Sequence, residues 1–529
     1  MSFVSRNHLW GGLILYILAL LILLPAGWLE RVPGYMDAEY YAVMGRELAE
    51  GKGWSQPFLW NYLDNPETLP QPAFTYWMPL ISILSALGWR LTGSFRGVQV
   101  IFCLLAALVP VLTYAMAIRL HGDSRKAWLS GLFALFPVFY LPYLPTTDAF
   151  AVVMLLGGGA ILLVTLEHWF ARLAFGILAG ALHFTRADGI LWLLGGLIWW
   201  NGRAWFTRSS FRQLGTQMLK RSALLLVGYT LVMGSWYLRN VEVFGRIFPP
   251  GNGLTLWVTR YEDLYLHPAS QLTFQRWLEA GWQAHLEGRW QAFLANLQTT
   301  IAVQGMIVLF PFILIGMGCL RKQSAVRFAL GIWTAIFLVF TLVFPYAGIN
   351  GSFFHAGAGI QTLLWALAPV GIEQVVRKVS EWRKWERGHH VLRFVYGLLL
   401  ATSFLLSWGI YASTVIGTES GREIRWEQSY QQALRLETWL RQRLAQPEDV
   451  VMVNNPPGYT YATGRPAIVI PFGHEQDVLA TGRRYGARFL LLDENNSGYL
   501  SEWYLHPVTT RDLNYFGTVE GVRIYEFIP

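Results

Sequence analysis

The 529-residue sequence predicts a polytopic α-helical membrane protein, with about eleven transmembrane helices and a small α/β domain at its C-terminal end. Three observations carry this reading. Hydrophobic residues make up 54% of the chain and charged residues 14%, against about 25% charged in an average soluble domain. Uncharged apolar runs recur from Leu9 to about residue 415. Beyond that point the pattern changes to a charged helical stretch and short β-branched segments.

The first run, Leu9–Leu29, holds about 21 residues without a charge, which at ~1.5 Å per residue matches a ~30 Å hydrocarbon core. It has no small-residue cleavage pattern and more spans follow, so it reads as a span and not as a signal peptide. Further runs lie at 98–118, 127–141, 149–166, 173–184, 189–200, 223–238, 301–320, 328–346, 353–376 and 394–415. A shorter run at 76–91, with Tyr76, Trp77, Pro79 and Trp89, reads as an interfacial helix. With that run on the surface, Arg119–Lys126, Arg203–Arg221, Arg321–Arg327 and Arg377–Arg393 all share the side of the N-terminus. That is the positive-inside pattern, and it makes this side cytoplasmic. The runs 127–141, 173–184 and 189–200 are short for a crossing and call for tilt or for flanking residues.

This orientation makes 1–415 a membrane domain with outer loops at 30–97 and 239–300, and 416–529 an extracytoplasmic domain. In the latter, "REIRWEQSYQQALRLETWLRQRLA" reads as helix, and "DVVMVNN", "PAIVIPF", "ARFLLLD" and "GVRIYEFI" as strands. Cys103 and Cys319 both fall in apolar runs, so neither a disulfide framework nor a thiolate metal site is indicated. The net charge of +8 gathers in the loops assigned to the cytoplasm, which suits anionic lipid and not nucleic acid.

Four polar clusters converge at the outer face. They are Asp37 and Glu39 after the first span, with Tyr40 and Tyr41; Asp148 in "LPTTDAF"; Arg186 and Asp188 in "HFTRADGILW"; and Arg239 and Arg246 in "WYLRNVEVFGRIFPPG". Charges this close to hydrocarbon are costly unless they face a wet cavity or one another. Carboxylates from separate loops with Arg beside them suit an anion, with room for a divalent cation. Each residue also has a plainer reading: a helix N-cap for Asp148, turn chemistry for Asp188–Gly189, snorkelling for Arg239. Asp37 and Glu39 would then open an exposed helix, and His355 in "GSFFHAGAG" would be a satisfied histidine beside small-residue packing.

In order and spacing, "DAEYY", "PQPAFTYWMPL", "TRADG" and "WYLRNVEVFGRIFPPG" resemble the GT-C membrane glycosyltransferases. The resemblance covers about 1–415 and is nearest to bacterial relatives of protein O-mannosyltransferases and of aminoarabinose transferase. It implies inverting transfer of a hexosyl or pentosyl group from a polyprenyl-phosphate donor to a protein, lipid or glycan hydroxyl. The site would lie on the extracytoplasmic face of the plasma membrane. It makes Asp37 the catalytic carboxylate, with Glu39 beside it, and Asp148 a second acidic member, with Asp188. Arg186, Arg239 and His355 are expected at the donor phosphate, Tyr40 and Tyr41 at the cavity wall, and Asp37 and Asp148 at any divalent cation. Pro70, Gln71 and Pro72 stand where aminoarabinose-type enzymes carry Glu-Lys-Pro, and "SFFHAGAG" replaces the late Arg-Tyr segment of many relatives. A transporter or flippase for a lipid-linked or anionic solute is the alternative, although no internal repeat of the kind such proteins carry is visible.

Overall fold

The computed structural model describes residues 6–205, 211–385, 388–417, 424–443 and 445–528. Parts of two expected basic loops, 206–210 and 386–387, and the start of the expected outer domain, 418–423, lie outside the described residues.

Helices form where the apolar runs lie. Among the described residues five are long and apolar enough to cross a membrane: His8–Leu29, Phe95–His121, Ser324–Val343, Ser352–Arg383 and Gly388–Ile416. Shorter apolar helices include Phe150–Leu163, Trp169–Thr185 and Phe310–Leu320. Flanking residues lengthen two of the short runs, so that 173–184 becomes Trp169–Thr185 and 189–200 becomes Ile190–Trp205. The run at 127–141 instead breaks. Its helix, Ser124–Leu135, starts on Asp123, whose carboxylate accepts from the N–H groups of Arg125 and Lys126. It stops before Pro137, because a residue preceding proline is pushed out of the helical region; a 3-10 segment, Val138–Tyr143, follows.

The first helix, α1 (Arg6–Leu29), ends in a short link to α2 (Met36–Ala49). Gly34 in that link has φ +92°, and a Cβ there would fall 1.3 Å from the indole nitrogen of Trp426. The link therefore passes flat against the segment that enters the C-terminal domain. The run at 76–91 becomes the helix Leu80–Thr92, which packs on α2 where Gly45 faces Ser85.

The small strands β1 (Ser55–Gln56), β2 (Phe58–Leu59) and β3 (Gln71–Pro72) lie in the first loop; β1 and β3 pair with each other. The C-terminal domain supplies β4 (Val450–Val453), β5 (Ala467–Val469), β6 (Ala487–Leu492), β7 (Leu513–Val519) and β8 (Val522–Phe527). Its sheet runs β2-β5-β4-β6-β8-β7, with β2, β5, β4 and β6 parallel, β8 antiparallel to β6, and β7 antiparallel to β8. The sheet is thus not confined to 416–529, since β2 comes from the loop 30–97. Alternation sets its two faces. Val451 and Val453 pack toward the helix Gln428–Arg441, while Met452 joins Leu59, Ile468 and Leu490 on the other side. Arg465, 1% exposed in its side chain, pairs with Glu437 of that helix at 2.8 Å.

Candidate active site

Asp37 sits in the first turn of α2, after Tyr35 in extended conformation. The "TTD" segment is stitched to it. Thr146 donates to the Pro33 carbonyl at 3.2 Å and Thr147 to the Ala38 carbonyl at 2.6 Å, which sets Asp148 beside Asp37. Asp148 accepts from the Tyr35 hydroxyl and from the Ala149 N–H, and its side chain is only 1% exposed. His355 approaches both carboxylates with one atom: Nε2 is 3.3 Å from Asp148 Oδ2 and 3.9 Å from Asp37 Oδ2. Its Nδ1 donates to the Gly351 carbonyl at 3.0 Å, and the ring stacks on Phe150 at 4.3 Å. With oxygen acceptors at both ring nitrogens, the imidazolium form satisfies the site best.

Burial raises the Asp37 carboxyl from its ordinary 3.8 to about 6; Asp148 adds to the shift, while His355 and Arg186 oppose it. The side chain nevertheless keeps 31% exposure onto a cavity, which softens the desolvation and leaves it within reach of a ligand. Asp148 goes the other way. Burial works to raise it, but His355 and the donors Tyr35 and Ala149 outweigh burial and hold it below the usual carboxylate range.

Two cavities meet at this point. One, of about 470 Å³, is lined by Asp37, Tyr41, Arg186, Asp188 and His355 and by a wall of rings that includes Trp60, Tyr76 and Trp77. Its far end reaches Val343, which is 48% exposed on an apolar helix long enough to cross the membrane. The other, of about 540 Å³, is bounded by Tyr35, Tyr143, Phe354, Arg425 and Trp426. Asp37, Asn350 and His355 line both.

The remaining residues singled out from the sequence divide by direction. Arg186, at the C-terminal end of its helix, lines the first cavity and holds Asp188 at 3.0 Å through Nε. Arg239 lines neither cavity: it donates to the Ala73 carbonyl at 3.0 Å and lies over Trp236 at 4.9 Å. Tyr41 is on the wall, whereas Tyr40 is buried behind it, donating to Gln56 at 2.9 Å. Glu39 faces away, toward the C-terminal domain, where Asn455 donates to it at 2.7 Å. Burial raises its carboxyl to about 7, opposed by that hydrogen bond.

The two carboxylates expected to share a cation meet on a ring nitrogen that donates, so as placed they do not fit a bridging metal. Among the described residues no group of three or more His, Cys, Asp or Glu side chains is arranged to hold one. Sequence reasoning missed Tyr35, Asn350 and the rings Trp60, Tyr76 and Trp77 as site residues. Tyr35 adjoins the acidic motif and was within reach of it, but the ring wall is assembled from a loop whose path the sequence does not disclose.

A helical membrane domain, an acidic pair beside an Arg-bearing cavity and a C-terminal sheet domain make up a fold shared with a solved membrane-protein structure. The chain matches the crystal structure of ArnT from Cupriavidus metallidurans in the apo state, with a TM-score of 0.52 and 13% identity over 98% of both chains. No family model matches the sequence, and no curated protein sequence matches it.

Proposed function

We propose that the protein is an inverting glycosyltransferase, moving a sugar from a polyprenyl-phosphate donor to an acceptor hydroxyl at the extracytoplasmic face of the plasma membrane. The observation that carries this is Asp37, exposed in the wall shared by two cavities, one of which holds Arg186 and reaches an apolar outer face. Donor and acceptor then enter from opposite sides.

In the reaction the acceptor oxygen forms a bond to the anomeric carbon while the bond from that carbon to the phosphate oxygen breaks. The hydroxyl proton goes to Asp37, and the phosphate leaves with the electron pair. A single displacement inverts the centre. Arg186 stabilises the departing phosphate by a charge-assisted hydrogen bond where water is scarce. Asp148 does not touch the substrates. It holds His355, whose charge favours the carboxylate form of Asp37. The aromatic wall gives the sugar ring a face to pack on, and Val343 marks where the polyprenyl tail leaves for the bilayer.

The test is to incubate purified protein with a panel of polyprenyl-phosphate sugars and follow release of polyprenyl phosphate. Release with at least one donor, lost in Asp37→Asn, is expected; no release with any donor and acceptor preparation would return the chain to the transporter reading.

A further inference from the structure

A separate crevice, lined by polar side chains and by Leu436, Val453 and Leu491, lies on the other side of α2 from these cavities. β4 runs out into Asn454 and Asn455, and β6 into Asp493. The chain leaves β4 toward β5 on one side and β6 toward the β7–β8 hairpin on the other, so the gap between their ends is the point where the strand order reverses. Open α/β sheets leave a crevice at such a point. Here it measures about 120 Å³ and is closed by Ser429 and Gln432 of the helix Gln428–Arg441 and by Glu39 of α2.

Glu39 is placed with care. It is 3% exposed, and it fits only because residue 458 is glycine: a Cβ there would fall 2.6 Å from Glu39 Oε2. Asn455 Nδ2 donates to that oxygen at 2.7 Å, and Asn454 Nδ2 donates to Asp493 Oδ1 at 2.6 Å. Asp493 Oδ1 also accepts from the Asn495 N–H at 2.9 Å. Each carboxylate is thus steadied by a carboxamide, and both residues line the crevice.

The lining chooses the ligand. No Lys or Arg lines the crevice, so a phosphate or a carboxylate would meet no counter-charge. The carboxylates are engaged by separate amide donors, and an amide N–H turned toward a cation repels it. What the oxygens and amides match together is a set of hydroxyls, which both donate and accept. We propose that this crevice binds an uncharged sugar residue. Glu39 and Asp37, two positions apart, lie about 200° apart around the helix, so a sugar seated on Glu39 bears on the helix that carries Asp37. On the transferase reading above, and only on it, that sugar belongs to a glycan acceptor.

The experiment is saturation-transfer NMR on the detergent-solubilised full chain with neutral methyl glycosides of mannose, glucose and galactose. Transfer to at least one glycoside is expected, kept in Asp37→Asn and reduced about five-fold or more in Asp493→Ala and in the more conservative Asp493→Asn, the scale of one lost hydrogen bond. Thermal melts identify any variant that fails to fold, and Asp493→Asn then decides. No transfer to any glycoside overturns the proposal, as does transfer that persists in both Asp493 variants. Transfer lost only in Asp37→Asn also overturns it and assigns the sugar to the catalytic cavity. Terbium luminescence that depends on Asp493 would assign a cation instead. Absence of polyprenyl phosphate release, which defeats the transferase reading, leaves the binding result standing.

Discussion

His355 Nε2 lies 3.3 Å from Asp148 Oδ2 while its Nδ1 holds the Gly351 carbonyl, so one imidazole joins the start of a long helix to the loop that carries Asp148. The same nitrogen reaches within 3.9 Å of Asp37. The enclosed carboxylate therefore fixes the ring, and the ring's charge acts on the carboxylate that is open to the cavity.

Asp37→Asn should remove most turnover, since a positioned general base contributes typically 10²–10⁴-fold. Donor binding and the melting profile should stay close to those of the parent. Glu39→Gln, on the opposite face of α2, should retain far more activity. Near-parental turnover in Asp37→Asn, measured by polyprenyl phosphate release, would remove Asp37 from the chemistry.

The acid limb of the rate follows from the raised carboxyl. Because the base is the ionised form and burial raises Asp37 to about 6, kcat/KM should rise with pH through about 6 and level off above it. His355 opposes that shift, so His355→Gln should move the limb to higher pH. A limb that stays in place in this variant would show that the ring does not act on Asp37.

The two arginines should separate. Arg186→Ala is expected to weaken apparent donor affinity by the roughly 1.5–3 kcal/mol of a charge-assisted hydrogen bond, with Arg186→Lys recovering part of it. Arg239→Ala should leave donor affinity unchanged and lower the melting temperature, because its guanidinium holds the Ala73 carbonyl and packs on Trp236. Donor titrations of both variants distinguish these outcomes.

Glu39 should make stability depend on pH. Its carboxyl is raised from the ordinary 4.5 to about 7, so the folded state holds the proton more tightly than the unfolded chain. The contribution is complete below about 4.5, shrinks as pH rises to about 7 and is absent above; its upper size is about 3 kcal/mol. Thermal melts between pH 5 and 8 should show this slope, and Glu39→Gln should flatten it.

Orientation is checked by cysteines placed at Lys322 and Glu494, both exposed, in a chain whose Cys103 and Cys319 have been replaced by Ala. An impermeant thiol reagent applied outside intact cells should label only the second.

The helices of the apolar runs were legible because hydrophobic length needs no tertiary context, the strands β4, β5 and β8 because they carry β-branched residues, and β6 by its apolar run; the helix Gly281–Gln298, in a stretch read only as a loop, was not. β7 carried a weaker signal, Leu513–Val519 with a glycine in it, although the Glu520–Gly521 turn at φ 49° and 84° is a hairpin cue. β2 was not legible at all, because two residues of a polar loop become a strand only through a partner far along the chain. In the site, clustering at helix ends pointed to Asp37, Asp148 and Arg186 as neighbours, but it did not bring in His355 and does not say which way a side chain turns. Arg239 and Glu39 turn away from the cavities, toward the Ala73 carbonyl and Asn455, and that distinction arises only from packing.

That strand bears on how the protein is made. Phe58 and Leu59 pair with Ala467 and Ile468, so the edge of the last-built sheet is synthesised some four hundred residues before its neighbour. During that interval the first loop carries an unsatisfied backbone edge, open to other chains. Nascent molecules stalled before residue 467 are therefore the form most exposed to proteolysis and to holding by chaperones.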